Sequence, residues 1–295
     1  MSTMSPADVP SAGLRRACVG DLAAVLAAVM EDSGARGGAA ARRGAGLIAP
    51  AVHSLGIIAA DRAVTSWDGV VHRRCRLEAA HAVPLAGAKD GADARAGDRA
   101  LSSQPVATDR PTVHVSRGAR GGWELLRVRL ELGAPEAGAA WPGGALVTHD
   151  FAQRLPASAR AEGAASAPRR AEQQVAPPGT RTARSPSDEI PGDRPALVVA
   201  YQRVLDWADA SGDHNEVHTS AGAARRAGLN AGADEVVAHG LLLGALSAGL
   251  VPPRRTLALT FLAPATVPVA GSARLEVDRA SGDLSADGVL LVSRA

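Results

Sequence analysis

An α+β fold, with an antiparallel sheet wrapped around a buried helix, is predicted by two features of the C-terminal hundred residues. Gly240–Leu250 (GLLLGALSAGL) is strongly apolar and is stopped by Pro252 and Pro253, as a core helix would be. Strand-like runs follow it at residues 256–262, 273–279 and 288–293 with short connections, which favours antiparallel pairing.

The remaining elements follow in chain order. Residues 21–32 (DLAAVLAAVMED) repeat apolar side chains on a helical period behind an acid. Residues 33–46 (SGARGGAAARRGAG) read as a loop, and residues 47–60 (LIAPAVHSLGIIAA) as a short helix with Pro50 near its start. Residues 70–78 (VVHRRCRLE) alternate as a strand does, and residues 89–98 are loop-like. Residues 112–116 and 123–132 (WELLRVRLEL) predict strands joined by a glycine-rich turn at 118–122. From 156 to 194, Val175 and Ile190 are the only large aliphatics, too few to offset the entropy of ordering, so a flexible linker is expected. Beyond it come a strand at 196–200, a helix at 203–210 and a short helix at 220–227 ended by Gly228. The chain thus divides into residues 1–155, the linker 156–194, and residues 195–295.

Composition narrows the function classes. A net charge of +2 with arginines dispersed among acids gives no nucleic-acid footprint. The aromatics are two Phe, one Tyr and four Trp, so the core must rest on Leu and Val with Ala and Gly between them. Cys18 and Cys75 are too few for a disulfide framework and lack metal-ligand spacing, which suits a reducing cytoplasm. Residues 1–10 show no basic run before an apolar stretch, and no window has the ~18 uninterrupted apolar residues of a membrane helix. A cytoplasmic protein with no membrane partner is expected.

Chemistry concentrates in Ser211-Gly212-Asp213-His214-Asn215-Glu216-Val217-His218 and in Val237-Ala238-His239-Gly240. Asp213 and His218 at this spacing suit proton transfer at one small-molecule centre. The same residues could serve more simply, Asp213 as a cap for the following helix and His218 as a loop histidine. His214 and His218 are four apart, but HNEVH is not HExxH and no third ligand is evident, so no metal is expected. The glycines of residues 34–46 follow no apolar strand, which argues against a dinucleotide loop. Ser247 is expected to be packed, and His53, His72 and His81 to be ordinary surface or core histidines.

These motifs resemble the MaoC-like, or R-specific enoyl-thioester hydratase, family of hotdog folds. Family members carry Ser-Gly-Asp-x-Asn-Pro-x-His, then a small helix, then Ala-His-Gly opening the long hotdog helix. Here SGDHNEVH, AGAARRAGL and VAHGLLLGALSAGL stand in that register. Glu216 replaces the usual proline, and the stretch 229–236 is longer than usual. The resemblance implies a double hotdog, with a sheet wrapped around a central helix in each half. Residues 1–155 would form a noncatalytic half, and residues 195–295 the half that holds the active site. It implies a hydro-lyase interconverting a (3R)-3-hydroxyacyl thioester and its trans-2-enoyl form. Asp213 and His218 would be catalytic, Asn215, His239 and Gly240 would bind substrate, and neither cofactor nor metal would be needed. The substrate would be an acyl-CoA or acyl-ACP, and the assembly a monomeric pseudo-dimer or a homodimer. Two other readings stay open: a noncatalytic acyl-thioester-binding partner subunit, and a hotdog thioesterase.

Overall fold

The computed structural model describes residues 18–35, 37–60, 70–79, 111–133, 144–155, 196–253 and 256–295. The expected linker at 156–194, the loop at 89–98 and His81 lie outside the described residues.

The first half supplies helices α1 (Val19–Asp32) and α2 (Gly38–Ala60) and strands β1 (Val70–Ala79), β2 (Thr112–Arg120), β3 (Trp123–Leu132) and β4 (Ala145–Arg154). The second half supplies β5 (Ala196–Ala200), α3 (Tyr201–Ser211), α4 (Glu216–Thr219), α5 (Ala223–Arg226), β6 (Glu235–Val237) and α6 (Gly240–Leu250). It ends with β7 (Thr256–Phe261), β8 (Thr266–Pro268), β9 (Ser272–Val277), β10 (Leu284–Ala286) and β11 (Val289–Arg294).

Nine strands form one antiparallel sheet in the order β2-β3-β4-β1-β7-β11-β10-β9-β5. The halves join where β1 meets β7, with Leu77 opposite Leu257 and Cys75 opposite Leu259. Helices α2 and α6 pack on each other and on the sheet, and α1 packs on α2. Each half therefore wraps part of a shared sheet around its own helix, the expected double hotdog. The core is continuous across the seam and includes Ile48, Leu77, Leu242, Leu246 and Leu257, all fully buried. In α6 only Gly240 and Leu250 escape full burial, which explains its uniformly apolar sequence.

Three expectations need correction. Residues 38–46 are helical, so α2 starts well before 47 and Pro50 lies inside it. Among the glycines that suggest a loop, Gly44 is there for packing. A Cβ on Gly44 would collide with the Ala245 carbonyl of α6, and one on Gly249 would come 2.5 Å from the Ala40 carbonyl. Arg43 ties the same crossing by donating to the Gly249 carbonyl. Strand β4 was not expected, because His149 and Asp150 interrupt its apolar alternation. Strand β10 is too short to show a period. Its link to β11 is a tight turn at Asp287 and Gly288, with φ of 49° and 75°, the left-handed pair a two-residue hairpin favours. Ser247 is packed as expected, its hydroxyl donating to the Gly282 carbonyl at 2.5 Å. Among the described residues no helix is long and apolar enough to cross a membrane.

Candidate active site

The Ser-Gly-Asp segment is built by local hydrogen bonding. Gly212 ends α3 in the left-handed region, at φ 75°, which turns the chain back toward the core. Ser211 Oγ accepts the Asp213 N–H at 3.2 Å, and Asp213 Oδ1 accepts the Asn215 N–H at 3.3 Å. Asn215 Oδ1 then accepts the Val217 N–H at 3.2 Å and caps α4. These nested side-chain-to-backbone turns fix the carboxylate and present His218 one turn later. Glu216 sits at the first position of α4, where proline is at home and an acid suits the helix terminus. Glu216 thus occupies a position where either an acid or a proline is tolerated.

Asp213, His218 and His239 converge. His218 Nδ1–H donates to the Val237 carbonyl at 2.6 Å, which leaves Nε2 as a lone pair 4.0 Å from Asp213 Oδ2. His239, the N-cap residue of α6, donates Nε2–H to the Asp213 carbonyl at 2.9 Å. Its Nδ1 is buried without a protein partner. The two imidazoles stack with centroids 3.9 Å apart. One ligand-type atom from each of the three residues lies within 4.8 Å of the others, so the same geometry could hold a cation. His214 takes no part: it is exposed, with Nε2 3.9 Å from Asp209 Oδ1.

Electrostatics separate the three groups. Burial, reinforced by His218, pushes His239 down to about 3 and keeps it neutral. Burial also opposes charge on Asp213. His239, His218 and the Asn215 N–H together outweigh that and hold its carboxyl below the usual range. An ionised carboxylate thus lies beside a neutral His239 at neutral pH.

The cluster opens into a cavity of about 280 Å³. Asp213, Asn215, His218, His239 and Gly240 all line it. Gly240 is required by a close approach, since a Cβ there would stand 2.9 Å from the Phe261 ring. The opposite wall comes from the first half and includes His72, Trp123 and Phe151. These residues were not anticipated. Nothing in the sequence sets His72 apart from an ordinary histidine, and a wall that forms only once β1 pairs with β7 leaves no local signal in the chain.

No protein-family profile matches the chain, and no curated protein does. Solved structures do. A structure described as a MaoC-like dehydratase is 19% identical and superposes with a TM-score of 0.50 over 94% of this chain and 91% of its own. HtdX from Mycobacterium tuberculosis is 15% identical, with a TM-score of 0.49 over 94% of each chain. Peroxisomal multifunctional enzyme type 2 from Drosophila melanogaster is 13% identical, with a TM-score of 0.39 over 82% of this chain and 39% of its own. The first likeness establishes the fold: this chain has the MaoC-like hotdog architecture.

Proposed function

We propose that the chain is a hydro-lyase that interconverts a (3R)-3-hydroxyacyl thioester and a trans-2-enoyl thioester, with Asp213 and His218 as its acid–base pair. The observation that carries this reading is the convergence of Asp213, His218 and His239, with His218 Nε2 4.0 Å from Asp213 Oδ2 and one N–H of each imidazole already given to a backbone carbonyl. Such a cluster offers acceptors and no donors, and a water molecule with two O–H donors satisfies it. In hydration, the water oxygen bonds C3 as one of its O–H bonds breaks toward the pair. The pair returns a proton to C2 and ends in its starting ionisation. Negative charge that develops on the thioester oxygen is met by the first N–H groups of α6, whose helix dipole favours it. Gly240 lets that oxygen approach the backbone.

Asn215 acts in this reading by bracing the loop, and His239 by holding both the Asp213 carbonyl and the reacting water. Residues 195–295 carry the chemistry, while residues 1–155 are a noncatalytic half that completes the cavity. The substrate is an acyl group on CoA or acyl carrier protein in a reducing cytoplasm, and a single chain or a homodimer would suffice.

The test is loss of enoyl absorbance when purified protein meets crotonyl-CoA or a longer trans-2-enoyl-CoA. Asp213→Asn and His218→Ala should each lower the rate by on the order of 10² or more. Full activity in both variants would overturn the assignment. Release of free CoA thiol would favour a thioesterase, and saturable binding without turnover a partner subunit.

A further inference from the structure

A second cluster of titratable groups lies in the first half, and the proposed chemistry does not use it. The register of β1 against β4 slips between His72 and Arg74, so Arg73 is an extra residue in the strand. Residues three apart in a regular strand face opposite ways, but this bulge puts His72 and Cys75 on the same inner face. Across the ladder, Cys75 stands opposite His149 and His72 opposite Phe151.

The side chains then meet. Ser54 on α2 donates its hydroxyl proton to the Ala51 carbonyl at 2.8 Å, so its oxygen accepts Nε2–H of His149 at 2.6 Å. This fixes the His149 tautomer and turns its Nδ1 lone pair toward His72 Nε2, 3.0 Å away. One ligand atom each from His72, Cys75 and His149 lies within 4.8 Å of the other two. Cys75 and His149 are fully buried, and His72 opens onto the cavity.

We propose that His72, Cys75 and His149 form a binding site for a divalent transition metal of the zinc type, separate from the Asp213 cluster. A thiolate and two imidazoles suit zinc, whose tetrahedral ligand edges are roughly 3.3–3.6 Å; the two imidazole nitrogens, 3.0 Å apart, open slightly and the Cys75 sulfur closes in from within 4.8 Å. Ser54 supplies the outer hydrogen bond that orients a ligating histidine. The cavity gives the ion a way in and leaves a fourth position for water. On binding, the Cys75 S–H bond breaks, its proton passes to solvent and an S–metal bond forms. His72 shifts its proton to its outer nitrogen, so one proton is released per ion. The site does not depend on the hydro-lyase reading, since every ligand lies in the first half.

Cobalt(II) added to the chelator-treated full chain tests this. One equivalent should give the near-ultraviolet thiolate-to-cobalt band and the visible bands of a tetrahedral ion. Cys75→Ser should abolish the thiolate band, and Cys18→Ser should keep it. Ser54→Ala should weaken binding by about 10- to 100-fold. Asp213→Asn should leave the spectrum intact. No thiolate band in the wild-type chain would overturn the proposal. So would a band that survives Cys75→Ser, or one lost in Asp213→Asn. Because the wild-type spectrum is itself decisive, the test holds even where a variant fails to fold.

Discussion

The two halves use the same parts to opposite ends. In the first, His72 and His149 stand on paired strands and hydrogen-bond to each other and to Ser54. In the second, His218 and His239 stand on a short helix and on a helix cap, and each gives its N–H to a backbone carbonyl. Pairing between side chains sets ring nitrogens against each other, so a guest must displace the proton they share, whereas anchoring to the backbone spends only the N–H and leaves the lone pair open. The comparison teaches that what an imidazole offers depends less on its burial than on where its proton is committed.

Acid sharpens this contrast most strongly. Burial pushes His72 down to about 4, His239 to about 3 and His149 well below the usual value of 6.5. The unfolded chain therefore binds more protons than the folded one below pH 6.5. The stability these groups contribute is complete above that pH and is lost as pH falls toward the folded values, by about 1.4 kcal/mol per histidine per unit. Urea melts of chelator-treated protein between pH 7 and 4.5 should show this slope. His149→Phe, despite its other costs, should flatten the slope, and an unchanged slope would break the comparison.

The contact between the halves is the next point of attack. Gly44→Val drives a side chain against the Ala245 carbonyl and should cost about 1–3 kcal/mol. Gly38→Ala on the same helix meets only the end of the Arg42 side chain, at 3.9 Å, and should leave Tm unchanged or slightly raised. Equal losses in the two variants would mean that helix propensity, not the crossing, sets the effect. Smaller still is Glu216→Pro, which places a proline at a first helical position. It should stabilise by about 0.4–1 kcal/mol in thermal melts. Smallest is Arg127→Ala, which removes a bidentate pair with Asp150 from an exposed guanidinium and should cost under about 1 kcal/mol.

The second half was the more legible in sequence. Its longer strands stand out as aliphatic runs, prolines stop α6 where the structure stops it, and the closeness of Asp213 to His218 follows from a turn contained in six residues. In the first half, the start of α2 was hidden because Gly44, which reads as a loop residue, answers to α6, some 200 residues away. Strand β4 was hidden because the residues that break its apolar pattern, His149 and Asp150, are part of its inner cluster and its outer ion pair. The His239 contact with the Asp213 carbonyl and the wall of His72, Trp123 and Phe151 are tertiary facts. Each requires a distant pairing that no local spacing encodes. Cys75 shows the same limit, since its neighbours are set by a bulge and a ladder rather than by its position in a motif.

The crossing of α2 and α6 also bears on how far such a chain can diverge. Where two helices meet backbone to backbone, at Gly44 and Gly249, the contact surface is made of atoms that every residue shares. Side chains around it can be exchanged freely, so long as these two positions remain without a Cβ. An architecture pinned in this way can keep its shape while most of its letters change. That is one physical route by which two chains can share a fold at 19% identity.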